Sequence, residues 1–122
     1  MFSFRRMVII VQGAYYCVTG LWPLISMDTF EAVTGEKTDD WLVYMVGGLA
    51  AVIGATLLVA ARRKSLSAEA VALGLLSAVA FAAVDTVFAL NGTISRIYLA
   101  DAIVQAVIFF AIIGGISRRQ AA

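Results

Sequence analysis

Four long apolar runs alternate with short polar segments along this chain of 122 residues. The runs cover residues 7–24, 41–61, 70–90 and 97–116, and each is 18 to 21 residues long. Because an α-helix rises about 1.5 Å per residue and the hydrocarbon core of a bilayer is about 30 Å thick, each run can span a membrane as a helix. Backbone groups in lipid must bond within the segment, which favours helices over open strands. We therefore predict an all-α fold with four membrane-spanning helices.

The polar segments carry signals for the ends of these helices. Pro23 is expected to end the first helix, and Thr38 is expected to cap the second one. Ser67 and Ser95 are expected to cap the third and the fourth helix. The pair Asn91–Gly92 predicts a helix stop followed by a turn.

The lengths of the connections predict the topology. The segments 62–69 and 91–96 are short, so the helices that they join should run antiparallel. The chain shows no repeat and no linker to a second domain. We therefore predict that residues 1–122 form a single transmembrane domain, an integral membrane four-helix bundle.

The longest connection is an outer loop at residues 25–40. The capping-box spacing of Asp28 and Glu31 indicates a short helix within it, and Gly35 can end that helix. Five of the eight acidic residues lie in this loop: Asp28, Glu31, Glu36, Asp39 and Asp40. The loop is either a solvated segment at the membrane interface or a cover over a pocket between the helices.

Composition supports the assignment to a membrane. Apolar residues make up 62% of the chain and charged residues 14%, against roughly one half and one quarter in soluble domains. The net charge of +1 gives no basic excess for a nucleic-acid partner. Histidine is absent, and the single Cys17 has no partner for a disulfide or a zinc site. We therefore predict no catalytic residue, no cofactor and no metal.

Basic residues are distributed unevenly between the two ends of the predicted helices. Only Lys37 and Arg96 lie at the outer end. The other seven of the nine lie at the opposite end: Arg5, Arg6, Arg62, Arg63, Lys64, Arg118 and Arg119. The positive-inside rule therefore places both termini in the cytoplasm. The first run is expected to be an uncleaved helix, because no small-x-small cleavage site follows it.

Small residues recur along one face of each of the first three runs. They are Gly13, Cys17 and Gly20 in the first, Gly47, Ala51 and Ala55 in the second, and Ala70, Gly74, Ala78, Ala82 and Thr86 in the third. Such faces allow the backbones of two helices to approach closely in lipid. The neighbour could belong to the same chain or to another one, so a homo-oligomer and a partner membrane protein are both open.

Two acidic residues interrupt the later apolar runs. From the helical rise, Asp85 lies roughly 7 Å and Asp101 roughly 6 Å below the outer interface, so the two could meet or line one cavity. Because an ionised side chain near the bilayer centre costs about 3 kcal/mol, both should face inward. We predict a polar pocket that opens to the outer side. Its candidate ligand-binding residues are Asp85, Asp101, Arg96, Tyr98, Gln105, Tyr15, Tyr16 and Tyr44.

These two acids allow several functions. They could fix the helix register as structural contacts, bind a ligand or ion, relay protons, or act in catalysis. The leading prediction is a non-catalytic scaffold or accessory component in the lipid bilayer. One alternative is a binder or carrier of a small lipophilic or cationic ligand in the pocket lined by Asp85 and Asp101. A further alternative is a membrane enzyme that acts on a lipid.

Three stretches of the chain resemble the DoxX-like group of small bacterial membrane proteins. They are GAYYCVTGLWPLISMDTF at 13–30, TGEKTDDWLV at 34–43 and AVDTVFALNGTISRIYLADA at 83–102. The resemblance implies four membrane helices, a longer first outer loop and polar residues in the later helices. It also implies a location in a bacterial cytoplasmic membrane. Some members of the group are associated with quinone-linked sulfur oxidation. The single Cys17 offers no redox pair for that chemistry, and no site residue is carried over.

Overall fold

The described part of the chain is entirely helical in its regular structure. In a computed structural model, the description covers residues 4–35 and 37–121, with side chains as far as Gly115. The helices are α1 (Phe4–Ile25), α2 (Met27–Thr34), α3 (Asp40–Ala61), α4 (Ala68–Leu90) and α5 (Tyr98–Ala121). All except α2 are long and apolar enough to cross a membrane, α5 over Tyr98–Gly115. The prediction of four apolar helices of membrane-spanning length is therefore confirmed.

Pro23 does not end α1, contrary to the sequence prediction. The helix continues to Ile25. A proline removes one backbone donor, but the amide of Ser26 donates to the carbonyl of Trp22 at 2.8 Å, so helical bonding resumes directly after it. The buried Pro23 ring lies in the last turn, where few further helical bonds are lost.

Two of the predicted helix caps are wrong by one or two residues. Ser26, rather than Asp28, caps α2, because its side-chain oxygen accepts from the amide of Thr29 at 3.4 Å. Asp39, rather than Thr38, precedes α3, and its side chain makes no capping hydrogen bond. Both helices begin next to a polar residue that the capping preferences allow equally well, so sequence spacing alone did not select the cap.

Apart from the cap at Ser95, the other predicted boundaries agree with the structure. Ser67 caps α4 by accepting from the amide of Ala70 at 3.1 Å. Ser95 accepts from the amide of Ile97 at 3.3 Å, which precedes α5, so its side chain bonds within the turn and not to the first turn of the helix. Asn91 follows α4, and Gly92 has the positive φ of 84° that a turn at this point needs. Gly35 ends α2 with a φ of 98°.

Helix α1 packs most extensively against α3, through glycines on both helices. A Cβ atom added at Gly20 would lie 2.5 Å from the carbonyl oxygen of Gly47, and one added at Gly54 would lie 2.5 Å from that of Gly13. The two backbones therefore touch at two levels, as small-residue faces permit. The neighbour that these faces require lies within the chain.

The second main contact joins α4 to α5, and α1 also packs against α5. Helix α3 makes few contacts with α4, although the two are consecutive in the chain. The apolar core contains Ile9, Leu57, Ile108 and Ile112. It lies towards the end at which Arg6 bonds to the carbonyl oxygens of Arg63 and Lys64 in the α3–α4 turn, at 2.6 and 2.9 Å.

Large apolar side chains face outward on every long helix. Val18, Val59, Leu76 and Phe110 are each more than half exposed. Apolar surface of this extent is not found on proteins that stand alone in water, and lipid chains would cover it. The outer surface therefore agrees with the membrane assignment from the sequence.

Candidate functional site

A cavity of about 490 Å³ opens between the helices at the end that holds α2 and the α4–α5 turn. All five helices contribute to its wall. The second half of α1 and of α4 and the first half of α3 and of α5 line it, and α2 covers it. The core that contains Ile9, Ile108 and Ile112 lies further along the helices, towards the opposite end.

Six of the eight candidate residues from the sequence line this cavity. They are Tyr15, Tyr16, Asp85, Tyr98, Asp101 and Gln105. Tyr44 and Arg96 lie outside the wall: both are exposed. Tyr44 is not among the α3 residues that line the cavity, so its side chain projects from another face of the helix. The α3 residues that line it are Leu42, Val43, Val46, Gly47 and Ala50. Arg96 lies in the α4–α5 turn and does not reach down to a carboxylate at the wall.

A chain of hydrogen bonds organises the polar side of the cavity. The hydroxyl of Tyr15 donates to Oδ1 of Asp101. The amide of Gln105 donates to the same oxygen at 3.4 Å, one helical turn along α5. The hydroxyl of Tyr16 then donates to Oε1 of Gln105 at 2.7 Å. Asp101 is therefore held by donors from two helices, and its carboxyl group has a fixed position.

The hydrogen-bond chain continues below the cavity through residues that the candidate set did not include. The amide of the fully buried Gln12 donates to the hydroxyl of Tyr16 at 3.0 Å and to the carbonyl of Gly74 at 2.9 Å. The hydroxyl of Ser77 lies 3.3 Å from that of Tyr16. Both residues, Gln12 and Ser77, are polar side chains inside an apolar run, and that pattern was the signal available in the sequence. Gln12 lies four residues before Tyr16, and Ser77 lies eight residues before Asp85. These bonds tie α1 to α4, and the bond from Tyr16 to Gln105 adds α5.

Asp85 differs from Asp101 in its surroundings. Its side chain is 7% exposed and lines the cavity, and its carboxyl group is near enough to that of Asp101 for a side-chain hydrogen bond and a charge interaction. Its Oδ2 atom is buried without a hydrogen-bond partner among the described residues. Oε1 of Gln12 is also buried without a hydrogen-bond partner among the described residues, but it lies next to Gly74 and outside the cavity wall. The unpartnered oxygen of Asp85 is therefore the one that belongs to a cavity residue.

Helix α2 forms the cover of the cavity, through Phe30, Val33 and Thr34. The indole of Trp22 donates to the hydroxyl of Thr29 at 3.0 Å, and its ring packs edge-on against Phe30 at 5.3 Å. Of the two sequence interpretations of the outer loop, the structure agrees with a cover. Glu36, one of the five acidic residues predicted for the loop, lies outside the described residues.

Lys37 joins this cover to α5. Its ammonium group donates to the carbonyl oxygens of Gly35 at 2.6 Å and of Thr34 at 3.1 Å, at the C-terminal end of α2. The same group lies 5.6 Å from the ring centre of Phe30 and 5.3 Å from that of Tyr98. At the rim of the cavity, the positive charge of Lys37 therefore stabilises the C-terminal end of α2 and contacts two aromatic rings.

Similarity to known proteins gives no independent assignment of this site. No protein-family model, no curated protein and no solved structure matches the chain. The resemblance to the DoxX-like group stays a prediction from the sequence. The chemistry of the cavity residues is therefore the basis for the function proposed below.

Proposed function

We propose that this small integral membrane protein binds a small, largely apolar molecule in the cavity between its helices. The observation that carries the proposal is a cavity of about 490 Å³ whose mainly apolar wall contains two carboxyl groups. Small-molecule sites are typically concave, mostly apolar, about 300–1,000 Å³ in volume and supplied with a few polar groups. Acidic residues within membrane segments are costly, which makes them candidates for a functional site.

The packing of the small residues favours ligand binding over the scaffold role that the sequence put first. A scaffold would use its small-residue faces to hold another chain. Here Gly13 and Gly20 of α1 pack against Gly54 and Gly47 of α3, so these faces cover each other. Gly74 on α4 likewise packs against side chains of α1 and α5. The glycines of these faces are therefore already packed within the chain, although Ala55 of the α3 face is exposed.

Native mass spectrometry of the protein in mild detergent or nanodiscs tests the binding function. The Val43→Trp variant places a large side chain in the cavity wall, and Val59→Trp adds the same side chain to the exposed opposite half of α3. We expect a small molecule to copurify with the unaltered protein and with Val59→Trp, and to be lost from Val43→Trp. Bare protein in all three samples would contradict the proposal. A second protein chain at constant stoichiometry would favour the scaffold.

We further propose that the four long helices form a bundle in a bacterial cytoplasmic membrane with both termini in the cytoplasm. The contacts of Arg6 with the α3–α4 turn support this topology, because they bring two groups of basic residues to one end of the molecule. The positive-inside rule assigns that end to the cytoplasm. The cavity then opens to the outer side.

Cysteine labelling in intact cells tests this orientation. In a Cys17→Ala background, Thr93→Cys places a thiol in the α4–α5 turn and Ser65→Cys places one in the α3–α4 turn, at exposed positions. A membrane-impermeant maleimide should label the first variant in intact cells and the second only after lysis. The reverse pattern would show that the cavity faces the cytoplasm.

A further inference from the structure

Building on the binding function proposed above, we propose that the ligand carries a cationic nitrogen that pairs with Asp85, on an otherwise apolar body. The chemical class is an amphipathic organic amine in its ammonium form. Three features of the cavity lead to this class: a carboxyl oxygen without a donor, the charge of the wall and its aromatic side chains.

The first feature is the missing donor at one oxygen of Asp85. The carboxyl groups of Asp85 and Asp101 interact with each other, and Asp101 also accepts from Tyr15 and Gln105. Oδ2 of Asp85 is buried with no hydrogen-bond partner among the described residues. A buried carboxyl oxygen without a donor is costly, so native sites supply one. Asp85 is one of the residues that line the cavity, and we infer that a bound molecule supplies this donor.

The second feature is the charge of the wall. The described residues that line the cavity include Asp85 and Asp101 but no lysine or arginine. Lys37 lies at the rim, and its ammonium group is hydrogen-bonded to the end of α2. Arg96 is exposed and outside the wall. An anionic ligand would meet two carboxyl groups and no counter-ion, whereas a cation would be attracted.

The third feature is the aromatic side chains of the wall, which include Tyr15, Tyr16 and Phe81, whereas the ring of Tyr98 already contacts the ammonium group of Lys37. The rings of Tyr16 and Phe81 meet edge-on at 5.2 Å, and those of Tyr15 and Tyr16 are 6.2 Å apart. Aromatic faces attract ammonium groups, and apolar ring surface also accommodates a hydrophobic body. The same wall therefore serves both parts of an amphipathic amine.

Matched probes on one skeleton test the charge preference. We would titrate 2-(2-naphthyl)ethylamine, the corresponding alcohol and the corresponding carboxylic acid into the full-length protein in nanodiscs, with empty nanodiscs as the background. The amine should bind at least about tenfold more tightly than the alcohol, and the acid more weakly than either. Asp85→Asn should weaken amine binding by about 10- to 100-fold and leave alcohol binding unchanged. Glu69→Gln, in the exposed first turn of the same helix, should bind like the unaltered protein.

The outcomes separate this inference from the binding function itself. Equal binding of amine and alcohol, or an amine affinity that Asp85→Asn does not change, would overturn the pairing while leaving a ligand site in place. If no probe binds and native mass spectrometry finds bare protein, both proposals fail. A copurifying molecule without a basic nitrogen would also overturn the pairing. If Asp85→Asn does not accumulate in the membrane, the comparison of amine and alcohol binding in the unaltered protein tests the pairing instead. The Val43→Trp variant, in which the cavity is blocked, then serves as the control that should bind neither probe.

Discussion

The hydroxyl of Tyr15 on α1 donates a hydrogen bond to the carboxyl group of Asp101 on α5. The other donor to the same oxygen, Gln105, comes from α5 itself. The tyrosine therefore links two helices across the polar side of the cavity and holds an acidic residue that the membrane would otherwise disfavour. Asp85, the second acidic residue of the cavity, still has one carboxyl oxygen without a hydrogen-bond partner among the described residues.

Removing the hydroxyl of Tyr15 should destabilise the fold. We expect Tyr15→Phe to lower the free energy of unfolding by about 1 kcal/mol, within the range measured for polar contacts between membrane helices. Unfolding in SDS-containing mixed micelles, followed by circular dichroism, measures the change. Tyr44→Phe is the matched control, because it removes a hydroxyl from an exposed tyrosine outside the cavity wall. Equal losses in the two variants would mean that the bond to Asp101 contributes nothing.

The helices could be predicted from the sequence because one physical requirement dominates their position. A membrane-spanning segment must be long and apolar, and runs of that kind leave little freedom in where the helices lie. The ends were less predictable. Ser26 and Asp28 are both good capping residues, two positions apart, and the choice between them depends on where α1 stops. Pro23 illustrates the same point, since α1 tolerates it in its last turn.

The sequence predicted how deep the site residues lie in the membrane, but not which face of every helix is turned towards the cavity. The helical rise places Asp85 and Asp101 at similar depth, and both line the cavity. The rotation of α3 is set by the contact of Gly47 with α1, which turns Val43 towards the cavity and Tyr44 away from it. That contact depends on how two separate helices pack, and the spacing of residues within α3 does not determine it.

A side chain at Gly20 should destabilise the protein, because α1 and α3 are closely packed at this residue. A Cβ atom there would lie 2.5 Å from the carbonyl oxygen of Gly47 and 2.7 Å from the amide nitrogen of Ala51, so the backbones would have to separate. We expect Gly20→Ala to lose roughly 1–3 kcal/mol of stability and to melt at a lower temperature in detergent. Gly48→Ala is the control on α3, where a Cβ atom meets nothing within 4 Å. It should be neutral or stabilising by up to about 1 kcal/mol. Identical melting temperatures for both variants would contradict this packing.

The guanidinium group of Arg6 should stabilise the fold through its planar shape as well as through its charge. It donates to the carbonyl oxygens of Ala61, Arg63 and Lys64, which end α3 and begin the following turn. A lysine keeps the charge but lacks the planar fork of donors. We expect Arg6→Lys to cost about 1–2 kcal/mol of unfolding free energy, measured in the same mixed micelles. Arg62→Lys, at the exposed end of α3, should have no effect. Full stability of Arg6→Lys would indicate that the positive charge alone is sufficient at this end, and an equal loss in Arg62→Lys would contradict a special role for the bonds of Arg6.

Lys37 should control how firmly α2 covers the cavity. Its ammonium group holds the last carbonyl oxygens of α2 and lies against the ring of Tyr98 on α5, so it ties the cover to the body of the protein. In Lys37→Met the apolar part of the side chain remains but these interactions are lost. We expect hydrogen–deuterium exchange of the α2 amides to become about five- to tenfold faster, as for a loss of about 1 kcal/mol.

Peptides from α4 should exchange at an unchanged rate in that variant, because Lys37 contacts α2 and α5. Lys64→Met, in the exposed α3–α4 turn, is the matched control and should leave α2 unaffected. Faster exchange throughout the protein would indicate general destabilisation. Unchanged exchange in α2 would show that the contacts of Trp22 with Thr29 and Phe30 are sufficient to hold the cover in place.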